Sequence, residues 1–154
     1  MKELWIKYKE SEIPNDKYEL TEIALTCDGV KIVLRGHKNI LIVTHIAIHS
    51  LKLSDEGIRI RTYHEIEEIQ GYRNDFYGHP MYEVSNSEFF EWAMKESAGF
   101  GYDLKHYVLM TQNDIVDLLV TFPPEITVRK LEEEGCSRVK TIGSEHYDPF
   151  SDLS

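Results

Sequence analysis

The chain has 154 residues, a length suited to a single domain that buries about two thirds of its unfolded surface. Its composition, 42% hydrophobic and 29% charged, excludes an intrinsically disordered chain. Asp and Glu outnumber Lys and Arg by 27 to 17, which disfavours the phosphate backbone of a nucleic acid as the partner.

The acidic surplus is unevenly distributed along the chain. Residues 31–61 contain six basic and two acidic side chains, a net charge of +4. Residues 62–104 contain two basic and nine acidic side chains, a net charge of −7. A strongly acidic segment attracts a basic surface and repels nucleic acid. The charge pattern therefore predicts a basic protein as the partner and no binding to nucleic acid.

The sequence does not predict export or membrane association. Charges stand in residues 1–7, where a secretory signal needs an apolar run. The apolar stretch 40–48 is interrupted by polar residues and is about half as long as a membrane span. Cys27 and Cys136 are too few and too far apart for a dense disulfide framework. We therefore predict a cytoplasmic protein with reduced thiols, and a single long-range disulfide between Cys27 and Cys136 is the alternative.

A hairpin is the clearest structural signal in the first part of the chain. Residues 23–27 and 30–34 both alternate as strands do, and Asp28-Gly29 lies between them. An Asp-Gly pair in this position is typical of a tight β-turn, because turn residues there adopt positive φ. The apolar positions change phase near residues 21–22, which predicts a β-bulge.

Further strands are expected on both sides of this hairpin. Residues 4–8 form a short alternating strand, and residues 36–39 have the composition of a turn. The dense apolar run 40–43 suits a central strand, and residues 45–53 continue as another. Residues 58–61 alternate Ile and Arg, which predicts one more strand. The first half therefore reads as an antiparallel meander with sequential strands as neighbours.

The periodicity then becomes helical. Tyr63, Ile66 and Ile69 share one face of a short helix, and residues 71–80 have the Gly, Asn, Asp and Pro content of a loop. That loop also contains three aromatic residues, which a simple linker does not need.

One longer helix is predicted at residues 87–98. Residues 85–88 offer a capping box, with a serine hydroxyl for a free backbone N–H and Glu88 reaching back. Glu91 and Lys95 are spaced for an ion pair one turn apart, and Gly99 suits the C-terminal cap.

The remaining elements complete an α+β fold. Residues 105–111 and 115–121 form a second predicted hairpin, closed by Pro123-Pro124, and residues 126–128 add an edge strand. We predict one domain over residues 1–140, in which an antiparallel meander of six to eight strands packs against one main helix. Residues 141–154 are predicted to be an acidic C-terminal tail.

No motif in the sequence specifies a reaction. His45 and His49 have the spacing of a helical zinc site, but on a strand their side chains would lie about 13 Å apart, too far to bind one ion. His64 lies beside Glu65, Glu67 and Glu68 in what reads as a solvated acidic face. We therefore assign no catalytic residue, no metal site and no cofactor.

In its order of predicted elements and its negative charge, the chain resembles the small acidic α+β immunity proteins of bacterial toxin–antitoxin and polymorphic-toxin systems. The resemblance rests on the β-rich first half, the helix at 87–98, the His106-Tyr107 hairpin that ends at Pro123-Pro124, and the negative charge. It implies a single-domain cytoplasmic protein that neutralises a toxin by covering its working surface.

Aromatic and acidic residues alternate loosely between Tyr63 and Trp92, a composition that suits an interface with a basic protein. From this segment we predict the partner-binding residues Tyr72, Asp75, Phe76, Tyr77, Glu83 and Glu88.

Two alternative functions remain open. The first is a small hydrolase or metal-dependent enzyme that uses clustered carboxylates with His45, His49, His64 or His106. The second is a homo-oligomeric module that pairs through an exposed strand.

Overall fold

The computed structural model describes residues 2–45, 47–69 and 78–131, and within these ranges the chain forms nine β-strands and two α-helices. In addition, 3-10 turns lie at Glu56–Ile58 and Glu67–Ile69. In chain order the strands and helices are β1 (Leu4–Lys7), β2 (Glu19–Thr26), β3 (Gly29–Arg35), β4 (Asn39–His45), β5 (Ser50–Asp55), α1 (Ile60–Glu65), β6 (Met81–Ser85), α2 (Glu88–Glu96), β7 (Lys105–Met110), β8 (Asp114–Val120) and β9 (Glu125–Lys130).

The strands form two antiparallel sheets whose faces share one core. One sheet has five strands in the order β1-β6-β7-β8-β5, and the other has four in the order β2-β3-β4-β9. Ile32 and Leu41 of the four-stranded sheet belong to the same buried cluster as Leu109 and Leu118 of the five-stranded sheet. All four side chains are fully inaccessible to solvent. The main core therefore lies between the two sheets.

The helical elements cover the other face of the five-stranded sheet. Tyr63 of α1 and the following Ile66 pack in a second buried cluster that includes Val108 of β7. Phe89 of α2 packs in another cluster with Leu119 of β8. Side chains alternate between the two faces of a strand, so this sheet is buried on both sides. The described residues thus form three layers, in which the five-stranded sheet is the middle one.

The first predicted hairpin is confirmed, although its turn lies one residue earlier than expected. The loop between β2 and β3 is Cys27-Asp28, and Gly29 begins β3 with a φ of 119° that a residue with a side chain rarely adopts. The predicted bulge is also present, because the β2–β3 register shifts between Leu20 and Glu22.

A buried carboxylate holds the predicted turn at residues 36–39. Asp16 accepts hydrogen bonds from the backbone N–H groups of Lys17 (2.7 Å), His37 (2.9 Å), Lys38 (2.9 Å) and Asn39 (3.0 Å). Burial alone would raise the pKa of Asp16, but these hydrogen bonds outweigh it and lower the pKa below its ordinary value. The ionised carboxylate therefore fixes the path of the chain from β3 to β4.

The prediction of a single meander is wrong. Strands β2, β3 and β4 are sequential neighbours, but β5 pairs with β8 in the other sheet. The predicted strand at 45–53 is accordingly interrupted: β4 ends at His45 and β5 begins at Ser50. The chain crosses between the two sheets here, so nine strands divide between two sheets instead of six to eight forming one.

The strand predicted at residues 58–61 is also wrong. This stretch contains the end of a 3-10 turn and the start of α1. Ile58 and Ile60 are both largely exposed, whereas Arg59 turns inward to an ion pair with Asp117. The tertiary contact between Arg59 and Asp117 thus overrides the alternating pattern, which predicted a strand with both arginines on one face.

The prediction of one main helix is confirmed by α2, which is the longer of the two described helices. Its N-terminal cap is Ser87, whose Oγ accepts a hydrogen bond from the N–H of Phe90 at 2.9 Å. Glu88 does not complete a capping box; its side chain instead forms an ion pair with Arg61 of α1. At the C-terminal end Gly99 has a φ of 92°, and its N–H donates to the carbonyl of Met94 at 2.8 Å.

The second predicted hairpin and the predicted edge strand are both present, as β7–β8 and as β9 beside β4. The predicted tail at 141–154 lies outside the described residues, as does Cys136, while the thiol of Cys27 is free and exposed. None of the described helices is long and apolar enough to cross a membrane.

Candidate protein-binding surface

Helix α2 packs on the five-stranded sheet through one side and presents its other side to solvent. Phe89 and Ala93 are buried against Leu119, which is what a spacing of one helical turn allows. Glu91 is exposed, and Trp92 is about half exposed at the edge of this contact, where its ring stacks on that of Phe89. The packing therefore decides which α2 side chains can meet a partner.

A buried polar network fixes the N-terminal end of α2 and the start of α1 on the sheet. The Oγ of Ser87 lies 2.7 Å from Nδ1 of His106, whose Nε2 lies 2.8 Å from Oδ1 of Asp117. The other carboxylate oxygen of Asp117 accepts a hydrogen bond from Nη1 of Arg59 at 2.8 Å. Residues on β7 and β8 thus connect the caps of both helices.

The protonation states in this network follow from its hydrogen bonds. Burial would raise the pKa of Asp117, but the hydrogen bond from His106 and the charge of Arg59 hold that pKa below its ordinary value. Because Asp117 is an ionised acceptor, His106 donates through Nε2–H. Its Nδ1 can then accept from the Ser87 hydroxyl, which itself accepts from Phe90. Every polar atom in this series has a partner.

The series has the residue types of a catalytic Ser–His–Asp triad, but its environment is structural. A nucleophilic serine must present Oγ to a substrate, with His as its general base. Here Ser87 and His106 are each about 4% exposed and Asp117 is fully buried. The Ser87 hydroxyl also caps α2, so a reacting Oγ would have to give up the helix cap. The arrangement holds two helices in place.

Two of the six predicted partner-binding residues lie in the described chain. Glu83 is partly exposed in β6, where it lies opposite Ile6 and Tyr107 on the neighbouring strands. Glu88 is exposed at the start of α2, and its Oε1 lies 2.7 Å from Nη2 of Arg61. The hydrogen bond from Arg61 lowers the pKa of Glu88. The other four predictions, Tyr72, Asp75, Phe76 and Tyr77, lie outside the described residues.

Arg61 partly neutralises Glu88, so the stronger acidic character of this region comes from other carboxylates. The ion pair predicted between Glu91 and Lys95 is not formed, although both residues are described. Within the described residues Glu91 thus forms no ion pair, and it lines one groove of about 350 Å³ together with Glu83 and the exposed Lys105.

A second groove runs along the opposite side of α2. It has a volume of about 390 Å³, and its exposed lining includes Trp92, Glu96, Phe100 and Asp103. Trp92 is 49% exposed and Phe100 is 84% exposed, values that are high for large apolar side chains. We define the α2 surface as six acidic and aromatic side chains from the lining of these two grooves: Glu83, Glu91, Trp92, Glu96, Phe100 and Asp103.

The histidines considered in the sequence do not converge on one site. The Nε2 of His45 lies 2.8 Å from the carbonyl oxygen of Phe122, and the Nε2 of His49 lies 3.1 Å from the hydroxyl of Thr121. His64 is exposed on α1, whereas His106 lies in the buried network. Within the described ranges no three His, Cys, Asp or Glu side chains are grouped to hold a metal ion.

Sequence reasoning missed the His106–Asp117 pair, although a signal for it was present. Strands β7 and β8 are otherwise apolar between their ends, and each contains one ionisable residue on the face that turns to the helices. A buried ionisable side chain needs a partner, so two of them on adjacent strands of a predicted hairpin indicate a pair. Arg59 could not be added in this way, because its approach depends on α1.

Comparison of the chain with protein-family models, with curated proteins and with solved structures finds no match. The functional argument therefore rests on the α2 surface itself.

Proposed function

We propose that the protein is a non-enzymatic protein-binding module of the immunity type, which neutralises a basic protein toxin in the cytoplasm. In this proposal the α2 surface covers part of the toxin, and Tyr72, Asp75, Phe76 and Tyr77 extend the contact. The protein needs no cofactor or metal for this role, because recognition by shape and charge is sufficient to block another protein's working surface.

The observation that carries the proposal is the grouping, around the C-terminal half of α2, of exposed aromatic rings with carboxylates that form no ion pair within the described residues. Trp92, Phe100 and Tyr102 are between 49% and 84% exposed. Glu96 and Asp103 lie in the same stretch, and neither forms an ion pair with a described residue. Single exposed apolar side chains are common, but three large aromatics within eleven positions form a patch.

Such a patch has the composition of a protein interface that recognises positive charge. Aromatic side chains supply most of the binding energy at interface centres, because they bury a large area with few rotatable bonds. Carboxylates at the rim accelerate the encounter with a basic partner and oppose wrong partners. The net charge of −7 over residues 62–104 therefore gives the α2 surface a preference for basic proteins.

The proposal is tested by finding the partner and reversing the charge of the α2 surface. Tagged wild-type protein and a Glu91→Lys/Glu96→Lys variant are used to capture proteins from the native cells, and each captured protein is then purified. Binding of the purified partner is measured at low and high salt. A matched control, Glu19→Lys/Glu125→Lys, makes the same charge change on exposed positions of the four-stranded sheet.

We expect a basic partner whose affinity falls about tenfold or more in the α2 variant and is little changed in the control. The association rate of the wild type should fall steeply with salt, whereas that of the α2 variant should depend on salt much less. Equal affinity for wild type and the α2 variant, or an equal loss in the control, would contradict the proposal.

The series Ser87–His106–Asp117 favours one second candidate function, a small hydrolase. This candidate requires Ser87 to leave its capping position so that a substrate can reach it from the groove lined by Ser87 and His106. An activity-based fluorophosphonate probe distinguishes the two functions. Labelling that disappears in Ser87→Ala would establish a nucleophilic serine, whereas an unlabelled wild-type protein excludes this candidate.

A further inference from the structure

The groove between α2 and the five-stranded sheet has the features of a pocket for one side chain of a partner. Buried Ala93 and Leu119 line its apolar base, and exposed Trp92 and Phe100 line its rim. Its volume of about 390 Å³ exceeds that of a single long side chain, and it is open to solvent. A partner can therefore insert a side chain without any movement of the core.

The carboxylates are the only Asp, Glu, Lys or Arg side chains in the described lining of this groove, and the nearby Lys52 lies beside it over the Phe89 ring. Glu96 and Asp103 both contribute to the lining, and neither carboxylate has an ion-pair partner within the described chain. His49 lines the same groove, but its Nε2 is already engaged with the hydroxyl of Thr121 at 3.1 Å. An inserted cation would therefore meet two carboxylates with free acceptor capacity.

The neighbouring aromatic rings already show that this side of α2 accommodates a cation on an aromatic face. The ammonium group of Lys52 lies 4.6 Å from the centroid of the Phe89 ring. The Phe89 ring stacks on Trp92 with 5.6 Å between centroids and an interplanar angle of 23°. A positive charge over Trp92 would extend this arrangement into the groove, where the carboxylates lie.

We propose that this groove receives an arginine side chain of the basic partner. The inference rests on the proposed function and adds the chemical identity of one contact. The aliphatic stem of an arginine covers the apolar base, and its planar guanidinium stacks on an aromatic ring. Its N–H groups donate to the two carboxylates in charge-assisted hydrogen bonds. Lysine has the charge but neither the planar group nor the paired donors.

The test uses short synthetic peptides, so it does not depend on finding the partner. An acetylated and amidated Gly-Gly-Arg-Gly-Gly peptide is titrated into the protein, and the lysine and citrulline versions are titrated in parallel. Tryptophan fluorescence reports the groove, because Trp92 is exposed whereas Trp5 is 2% exposed. A Trp92→Phe variant establishes that the signal comes from Trp92.

We expect saturable binding of the arginine peptide at millimolar concentration. Citrulline keeps the shape but not the charge, so its peptide should bind about tenfold more weakly or not at all. The lysine peptide should bind more weakly than the arginine peptide. Glu96→Gln/Asp103→Asn should abolish the difference between arginine and citrulline, and Glu65→Gln on α1 should leave it unchanged. Equal binding of the arginine and citrulline peptides would overturn the inference.

The outcomes separate this inference from the proposed function. If the arginine peptide binds as expected but no basic partner is found, the pocket stands and the proposed function fails. If a basic partner binds through the α2 surface but the arginine peptide does not bind, the proposed function stands and the arginine pocket is wrong.

Discussion

Removing the carboxylate of Asp117 should destabilise the protein strongly, because it connects both helices to the sheet. In Asp117→Ala, His106 loses the acceptor of its Nε2–H and Arg59 loses its closest anionic partner, both at 2.8 Å. The side chain of His106 is 3% exposed and that of Arg59 is 16% exposed, so water replaces these partners poorly. Breaking a buried pair of this kind costs about 3–5 kcal/mol.

We expect the free energy of unfolding to fall by about 4 kcal/mol in Asp117→Ala. Asp117→Asn keeps one hydrogen-bond acceptor, so its free energy of unfolding should fall by less than that of Asp117→Ala. The measurement is urea unfolding at neutral pH, followed by tryptophan fluorescence. The matched control is Glu88→Ala, which breaks the ion pair with Arg61. The side chains of Glu88 and Arg61 are both more than half exposed, so loss of this ion pair should leave the unfolding midpoint almost unchanged.

The reasoning would be refuted if Asp117→Ala lowered the free energy of unfolding by less than about 1 kcal/mol, or by no more than the Glu88→Ala control. Either result would mean that the network is solvated and does not anchor α1 and α2. A large loss in Asp117→Ala together with a small loss in the control would establish that burial gives the network its effect.

Three further predictions concern the fold. Gly36→Ala should be strongly destabilising in thermal unfolding, because a β-carbon there would collide with the carboxylate of Asp16; a stable variant would contradict this. His79 is buried and its pKa lies below 6.5, chiefly because burial disfavours the charged ring, so its contribution to stability is complete above pH 6.5 and is lost as the pH falls. Urea unfolding between pH 7 and about pH 5 should therefore show a loss of stability that is smaller in His79→Gln than in the wild-type protein. An equal loss in the two proteins would contradict this role of His79. Leu4 and Ile6 are exposed on the edge strand β1, so light scattering should give a dimer that Ile6→Lys converts to a monomer; a monomeric wild-type protein would contradict this.

Local patterns in the sequence predicted the elements whose contacts are close along the chain. The β2–β3 hairpin, its bulge, the β7–β8 hairpin and the capped helix α2 all depend on residues within a few positions of one another. The division into two sheets could not be read in this way. Strand β5 pairs with β8, and Leu51 meets Leu118 across a long stretch of intervening chain.

The candidate surface was predicted only in part. The acidic and aromatic character of residues 62–104 was visible from composition, and it led to Glu83 and Glu88. The sequence could not show that Arg61 pairs with Glu88, because this contact joins α1 to α2. It also could not show that Trp92 and Phe100 share a groove, since that depends on how the loop after α2 returns to β7.

Hydrogen–deuterium exchange in the complex with the purified basic partner tests the central claim most directly. The loop at residues 97–104, which contributes Phe100 and Asp103 to the α2 surface, should exchange more slowly when the partner is bound. The β2–β3 hairpin, on the opposite layer of the molecule, should exchange at the same rate in both states. Protection of the hairpin without protection of residues 97–104 would contradict the claim that the α2 surface binds the partner.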